Sequence, residues 1–120
     1  MDRLYTMIKS YQPNAMIINN TGLDELGAVS HPMVDSVTYE RGKPKFAKNT
    51  DRPRAGEMCE SITDHWGYAQ DDISFKSVED LIDMLCECRE NNCNMLLNVG
   101  PLANGTIDSY EKYTLQCLGR

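Results

Sequence analysis

The chain has 120 residues, and 41% of them are hydrophobic, so it can bury one small core but not two. It has 12 lysine and arginine residues and 18 aspartate and glutamate residues, which gives a net charge of −6. This charge argues against nucleic acid or an anionic membrane as a partner. No apolar run approaches the roughly 20 residues of a membrane-spanning helix, and the first residues do not resemble a signal peptide. We therefore expect one soluble domain.

The first predicted elements are a helix and a strand. The apolar residues of the helix recur at helical spacing: Leu4, Met7, Ile8 and Tyr11. Pro13 lies just beyond this pattern and ends it. The apolar residues 15–18 then predict a buried strand, and the polar residues 19–22 leave its carboxyl end.

Two further strands are predicted in the middle of the chain. Residues 34–39 are rich in β-branched and aromatic side chains, and Glu40 closes that run. Residues 43–54 carry charges and two prolines without an apolar period, which predicts a long loop. Residues 57–62 predict the next strand, and residues 63–68 form its polar and aromatic exit.

The last third of the chain contains the clearest helix. Ser77 followed by Asp80 is typical of a capping box, and an apolar stripe comes after it: Val78, Leu81, Ile82, Leu85 and Cys88. The apolar run 95–99, interrupted only by Asn98, predicts a strand that is covered on both faces. Gly100 and Pro101 end it, and Asp108 and Glu111 start a final helix.

The alternation of strands, polar exits and helices indicates an α/β fold with a parallel sheet. Four strands are predicted. Because a closed TIM barrel, (β/α)8, has eight parallel strands in about 250 residues, we expect a partial TIM barrel, about half of one, as a single fragment. Its carboxyl rim, where Asn98 lies, is where such barrels place their chemistry.

The cysteines do not predict a metal site. The chain has five, without paired Cys-x-x-Cys spacing: Cys59, Cys86, Cys88, Cys93 and Cys117. Cys86 and Cys88 are two apart in a helical pattern and so point to different sides of the helix. Ordinary buried thiols are expected, which weakly favours a reducing compartment.

Two segments of the chain resemble the C-terminal half of the catalytic barrel of α-L-fucosidases of glycoside hydrolase family 29. The first runs from Gly56 to Ile62 and continues with His65-Trp66-Gly67-Tyr68. The second is Asn94-Met95-Leu96-Leu97-Asn98-Val99-Gly100-Pro101, followed by Gly105-Thr106-Ile107. The resemblance covers nearly the whole chain, and the two elements are fairly specific together.

The resemblance implies a retaining glycosidase that removes terminal L-fucose with two carboxylates, an aspartate nucleophile and a glutamate acid/base, without a cofactor or metal. In a typical retaining site the two carboxylates are about 5–5.5 Å apart. In the family, the nucleophile ends the barrel strand before the helix that resembles residues 4–11. That strand is not in this sequence, so no residue here is assigned as nucleophile, and the isolated chain is expected to be inactive.

Glu40 matches the general acid/base of the family, at the end of a short strand. The alternative is a loop glutamate paired with Arg41 or Lys43. Glu57 is the second candidate, although it lies near the start of its strand, where a buried structural carboxylate is expected.

The resemblance also implies residues that bind the sugar. Trp66 matches an aromatic residue that packs on the apolar side of fucose, the alternative being a core tryptophan. Asn20, Thr21 and His65 are further candidates. Thr21 replaces an arginine of several family members, and His65 is alternatively an ordinary loop histidine.

The function that we expect is therefore part of an exo-acting α-L-fucosidase whose partner is a fucosylated glycan. Open barrel edges would allow self-association. The alternative is a non-catalytic β/α module that binds sugar or assembles with a partner.

Overall fold

The computed structural model describes residues 1–20, 26–44 and 53–120. Within these residues four strands form one sheet in chain order: β1 (Ile18–Asn19), β2 (Ser36–Glu40), β3 (Ala55–Ser61) and β4 (Cys93–Asn98). Each neighbouring pair is parallel. All the carboxyl ends of the strands therefore lie along one edge of the sheet.

Three helices are present in the described part of the chain: α1 (Asp2–Tyr11), α2 (Val78–Glu90) and α3 (Ser109–Leu118). The predicted helices and the parallel α/β architecture are thus confirmed. None of these helices is long and apolar enough to cross a membrane. Residues 45–52 of the predicted loop 43–54 lie outside the described residues.

The capping box predicted for α2 is present. The Ser77 hydroxyl accepts a hydrogen bond from the Asp80 backbone N–H at 3.0 Å, and the Asp80 carboxylate accepts one from the Ser77 backbone N–H at 3.2 Å. Leu81 and Cys88 of the predicted stripe are buried, whereas Ile82 and Leu85 are exposed. The helix thus contributes a narrower apolar face than its sequence predicts.

The apolar core lies between one face of the sheet and the helices. Its buried residues come from or next to the strands and from α2: Ile17, Val34, Val37, Tyr39, Met58, Cys88 and Cys93. Tyr5 and Ile8 of α1 and Met84 of α2 pack against this cluster. Burial of these side chains is the main stabilising contribution to the fold.

The opposite face of the sheet is more open. Glu40, Cys59 and Leu96 are in register on β2, β3 and β4, so they share this face. Leu96 is 52% exposed. The prediction that residues 95–99 form a strand covered on both faces is therefore wrong, because the described helices cover only the other face.

The first strand is shorter than predicted. Residues 15–18 were expected to be a strand, but β1 begins only at Ile18. The backbone N–H of Ile17 donates to a carboxylate oxygen of Asp35 at 3.0 Å, and Lys9 donates to the carbonyl of Ala15 at 2.6 Å. The side chains of Asp35 and Lys9 thus bond backbone groups that a neighbouring strand would otherwise bond.

Candidate active site

Glu40 lies at the carboxyl edge of the sheet, as predicted. It is the last residue of β2, and its side chain is exposed. The side-chain amide of Asn20, just beyond β1, donates to Glu40 Oε2 at 2.8 Å. Oε1 accepts no hydrogen bond within the described residues. Asn20 therefore holds one of the two carboxylate oxygens of Glu40.

An open groove with a volume of about 500 Å³ lies at this edge. The residues that line it combine one carboxylate, two amides, one thiol and four apolar side chains: Asn20, Glu40, Cys59, Trp66, Leu96, Leu97, Asn98 and Val99. Three of the predicted site residues, Asn20, Glu40 and Trp66, thus come together. Apolar walls with a few polar groups are typical of ligand sites.

Trp66 lines the groove and is 39% exposed, so it is not a core residue. The Asn98 side chain donates to the Trp66 carbonyl at 2.7 Å and to Ser61 Oγ at 3.4 Å. The Arg41 guanidinium lies over the indole, with Cζ 4.7 Å from the ring centroid. Both the backbone and the ring of Trp66 are therefore held in place.

Glu40 does not form the surface ion pair that was the alternative explanation for it. The Arg41 guanidinium donates to the carbonyl of Asp64 instead. Lys43 Nζ pairs with Glu87 Oε1 at 3.7 Å. Within the described part of the chain, Asn20 is the side chain that binds Glu40.

Glu57, the second candidate, does not line the groove. It is paired in register with Thr38, two residues before the position of Glu40, and so lies about 6.6 Å farther from the carboxyl edge. It is half-buried rather than buried, and Asn94 donates to its Oε2 at 3.3 Å. Glu57 thus lies apart from the groove that Glu40 lines.

Cys59 is a groove residue that the sequence did not single out, because the thiols were expected to be ordinary buried ones. It faces Glu40 in register. Burial raises the pKa of its thiol, and the charges of Glu57 and Glu40 add to this. Cys59 is therefore a neutral thiol near neutral pH and a poor nucleophile. In the sequence, Cys59 follows Glu57 by two residues, and this spacing predicts that the two side chains lie on the same face of the strand.

His65 is not among the described residues that line the groove. The His65 ring is bonded through Nδ1 to Asp72 Oδ2 at 2.8 Å, and it is exposed. This is the arrangement expected for an ordinary loop histidine. Thr21 lies outside the described residues. No cluster of three or more potential metal ligands occurs among the residues described.

Comparisons with known proteins agree with this architecture. The family model described as Alpha-L-fucosidase matches residues 1–120. A comparison with curated proteins found no match.

Several solved structures are similar to the chain. Alpha-L-fucosidase isoenzyme 1 from Paenibacillus thiaminolyticus is 32% identical, with a TM-score of 0.80, and the match covers 98% of this chain and 28% of that one. The Thermotoga maritima alpha-fucosidase in complex with a mechanism-based inhibitor is 25% identical, with a TM-score of 0.72 and coverage of 98% and 24%. Alpha-L-fucosidase AlfC from Lactobacillus casei, in complex with α-L-fucose, shares the fold at 23% identity, with a TM-score of 0.73 and coverage of 98% and 33%.

The chain therefore spans between 24% and 33% of the length of these three solved structures. The family match extends over all 120 residues, and the parallel strands and helices agree with the solved structures. The chain belongs to the alpha-L-fucosidase family.

Proposed function

We propose that the chain is part of the catalytic barrel of a retaining, exo-acting α-L-fucosidase, and that Glu40 is its general acid/base. The observation that carries this proposal is the position of Glu40 at the carboxyl end of a parallel strand, in a groove shared with Asn20 and Trp66. The carboxyl ends of strands are where α/β barrels place catalytic residues.

In this mechanism Glu40 acts twice. It first protonates the glycosidic oxygen as the bond to the leaving group breaks. As a carboxylate it then removes a proton from the water that hydrolyses the fucosyl-enzyme intermediate. The hydrogen bond from Asn20 to Oε2 holds the carboxyl group in one orientation through both steps. Proton transfer then falls to Oε1.

The nucleophile of the reaction comes from outside this chain. Among the described residues that line the groove, Glu40 is the single carboxylate. A retaining mechanism requires a second carboxylate about 5–5.5 Å away. We place it on a barrel strand that precedes α1 in the complete enzyme, since that is where the family resemblance locates it.

The apolar walls of the groove suit a deoxy sugar. Trp66, Leu96 and Val99 present apolar surface close to the amides of Asn20 and Asn98. Fucose carries a methyl group in place of a hydroxymethyl group, so one part of the ring is apolar while its hydroxyls require hydrogen bonds. We propose that Trp66 packs against the apolar side of the sugar.

The rest of a TIM barrel completes the site in this proposal. The four-stranded sheet is half of what a barrel of about eight strands requires. Its less covered face exposes Ile18 and Leu96, which in a barrel would face the interior. The similar solved structures are three to four times longer than this chain, as their coverage indicates. The isolated chain would therefore be inactive.

The role of Glu40 is tested by Glu40→Ala in the complete enzyme, assayed on two fucosides whose leaving groups differ in acidity. Loss of the general acid slows release of a poor leaving group by roughly 10²–10⁴-fold, and slows release of an activated aryl group much less. Azide should restore turnover of the activated substrate by replacing water as the nucleophile. Glu57→Ala is the matched control, since Glu57 lies on the same face outside the groove.

If Glu40→Ala lowers the rates of both substrates equally and azide has no effect, Glu40 is not the acid/base. If Glu57→Ala instead shows the dependence on leaving group, the role moves to Glu57.

A further inference from the structure

Trp66 lies in an irregular segment, outside any helix or strand. It follows β3 in a stretch of bends, and its side chain is 39% exposed. An exposed aromatic side chain on such an exit would sample several rotamers unless other groups hold it. A sugar that stacks on a mobile ring must first order it, which weakens binding. The contacts that hold Trp66 are therefore relevant to substrate binding.

The backbone of this segment is tied to the ends of two strands. Asn98, the last residue of β4, donates to the Trp66 carbonyl at 2.7 Å. Ser61, the last residue of β3, donates from Oγ to the carbonyl of His65 at 3.0 Å, and Thr63 Oγ1 donates to the same carbonyl at 3.1 Å. Two consecutive carbonyls are thus bound by side chains from the rigid sheet or next to it.

The ring of Trp66 is held by Arg41. The Arg41 backbone N–H donates to the Cys59 carbonyl at 3.0 Å, which ties its main chain to β3. Its φ of 51° is uncommon for a residue with a side chain. The guanidinium donates to the Asp64 carbonyl and lies over the Trp66 ring at 4.7 Å. A planar guanidinium can stack and donate at the same time, which the compact ammonium of lysine does less well.

We propose that Arg41 and Asn98 are positioning residues, which together fix Trp66 as one wall of the fucoside site. This inference rests on the proposed function. Because the guanidinium covers one face of the indole, a sugar can stack only on the other face. Arg41 immediately follows Glu40. The end of β2 therefore carries both the proposed acid/base and the guanidinium that orients Trp66.

The first arm of the test uses fluorescence and needs no catalytic activity. Trp66 is the single tryptophan of the chain, so its emission reports on this position alone. In Arg41→Met and in Asn98→Asp the indole should show lower anisotropy and stronger quenching by acrylamide. Arg41→Lys should be intermediate, because it keeps the charge but loses the planar donor group. The control is Arg3→Met, which removes an exposed arginine of α1.

Circular dichroism establishes that the variants compared have the helix content of the parent chain. Arg41→Lys provides the comparison if Arg41→Met does not fold. Unchanged anisotropy and quenching in folded Arg41 and Asn98 variants would overturn the proposal, whether or not the enzyme is a fucosidase.

The second arm is kinetic and uses the complete enzyme with an aryl α-L-fucoside. Loss of the stacking cation should lower kcat/KM about two- to fivefold, mainly through a higher KM. A merely structural role would lower the amount of active enzyme, and therefore kcat, while KM stayed unchanged. Suppose that the first arm shows a more mobile Trp66 in Arg41→Met but that the KM of this enzyme is unchanged. The positioning role would then be overturned, while the proposed role of Glu40 would be unaffected.

Discussion

Glu40 and Asn20 meet because their strands are parallel neighbours. β1 pairs with β2, so the residue after β1 and the last residue of β2 reach the same edge of the sheet. The position of Glu40 at a strand end could be predicted from the sequence. Its hydrogen bond to Asn20 could not, because it depends on the register between two strands.

The contact between Arg41 and Trp66 could not be predicted from the sequence either. From the chain alone, Arg41 was an alternative ion-pair partner of Glu40, since neighbouring opposite charges often pair. In the structure the guanidinium is used instead by the Asp64 carbonyl and the Trp66 ring. A contact between residues on two different strand exits leaves no periodic pattern in a sequence.

Asp72 provides a test of pH dependence at the level of one residue. The hydrogen bond from the His65 ring, with backbone hydrogen bonds from Ser74 and His65, lowers its pKa from 3.8 to about 2. A carboxyl group whose pKa is lower in the folded state stabilises that state above its unfolded pKa. This contribution is lost as the pH falls from 3.8 towards about 2.

We therefore expect Asp72→Asn to destabilise the fold near neutral pH, by an amount that shrinks as the pH falls through this range. Urea unfolding of both proteins at several pH values measures the difference. Asp71→Asn controls for the loss of one exposed negative charge. A difference in stability that stays constant with pH would contradict this assignment.

At the level of elements, helix starts were predicted better than strand burial. The capping box of α2 is a local pattern of Ser77 and Asp80, so the sequence contains all of it. The burial of the two faces of β4 depends on which other elements cover them. An apolar run such as residues 95–99 does not indicate which elements these are. The shortened β1 likewise reflects Asp35, which is distant along the chain.

Ser77→Ala should weaken the start of α2. Loss of a helix N-cap costs about 0.5–2 kcal/mol of stability. The side-chain and backbone hydrogen bonds of Ser77 lower the pKa of Asp80, so the same substitution should raise that pKa towards its ordinary value. Denaturant unfolding and NMR titration of the Asp80 carboxyl group measure the two effects.

Ser109→Ala is the matched control, since Ser109 is exposed on the first turn of α3, where Asp108 is the cap. Equal stability of Ser77→Ala and the parent chain, with an unchanged Asp80 pKa, would show that the capping box does not stabilise α2.

At the level of the whole molecule, the exposed apolar residues predict association of the isolated chain. β1 and β4 each pair with one strand only within the described sheet, and Ile18 and Leu96 are exposed on its less covered face. Unpaired strand edges and apolar patches favour contact between copies. Sedimentation velocity should show a mass that rises with concentration. A stable monomer over a wide concentration range would contradict the partial-barrel proposal.

The central proposal is that this chain supplies the acid/base, while the rest of a barrel supplies the nucleophile. Hydrolysis of an aryl α-L-fucoside tests it most directly, measured for the chain alone, for the chain combined with the rest of the barrel, and for the same combination carrying Glu40→Ala. We expect no appreciable hydrolysis by the chain alone and clear hydrolysis after combination. With Glu40→Ala, we expect activity that depends on added azide. Hydrolysis by the purified chain alone that is abolished by Glu40→Ala would contradict the account, because a second carboxylate within these 120 residues would then have to be the nucleophile.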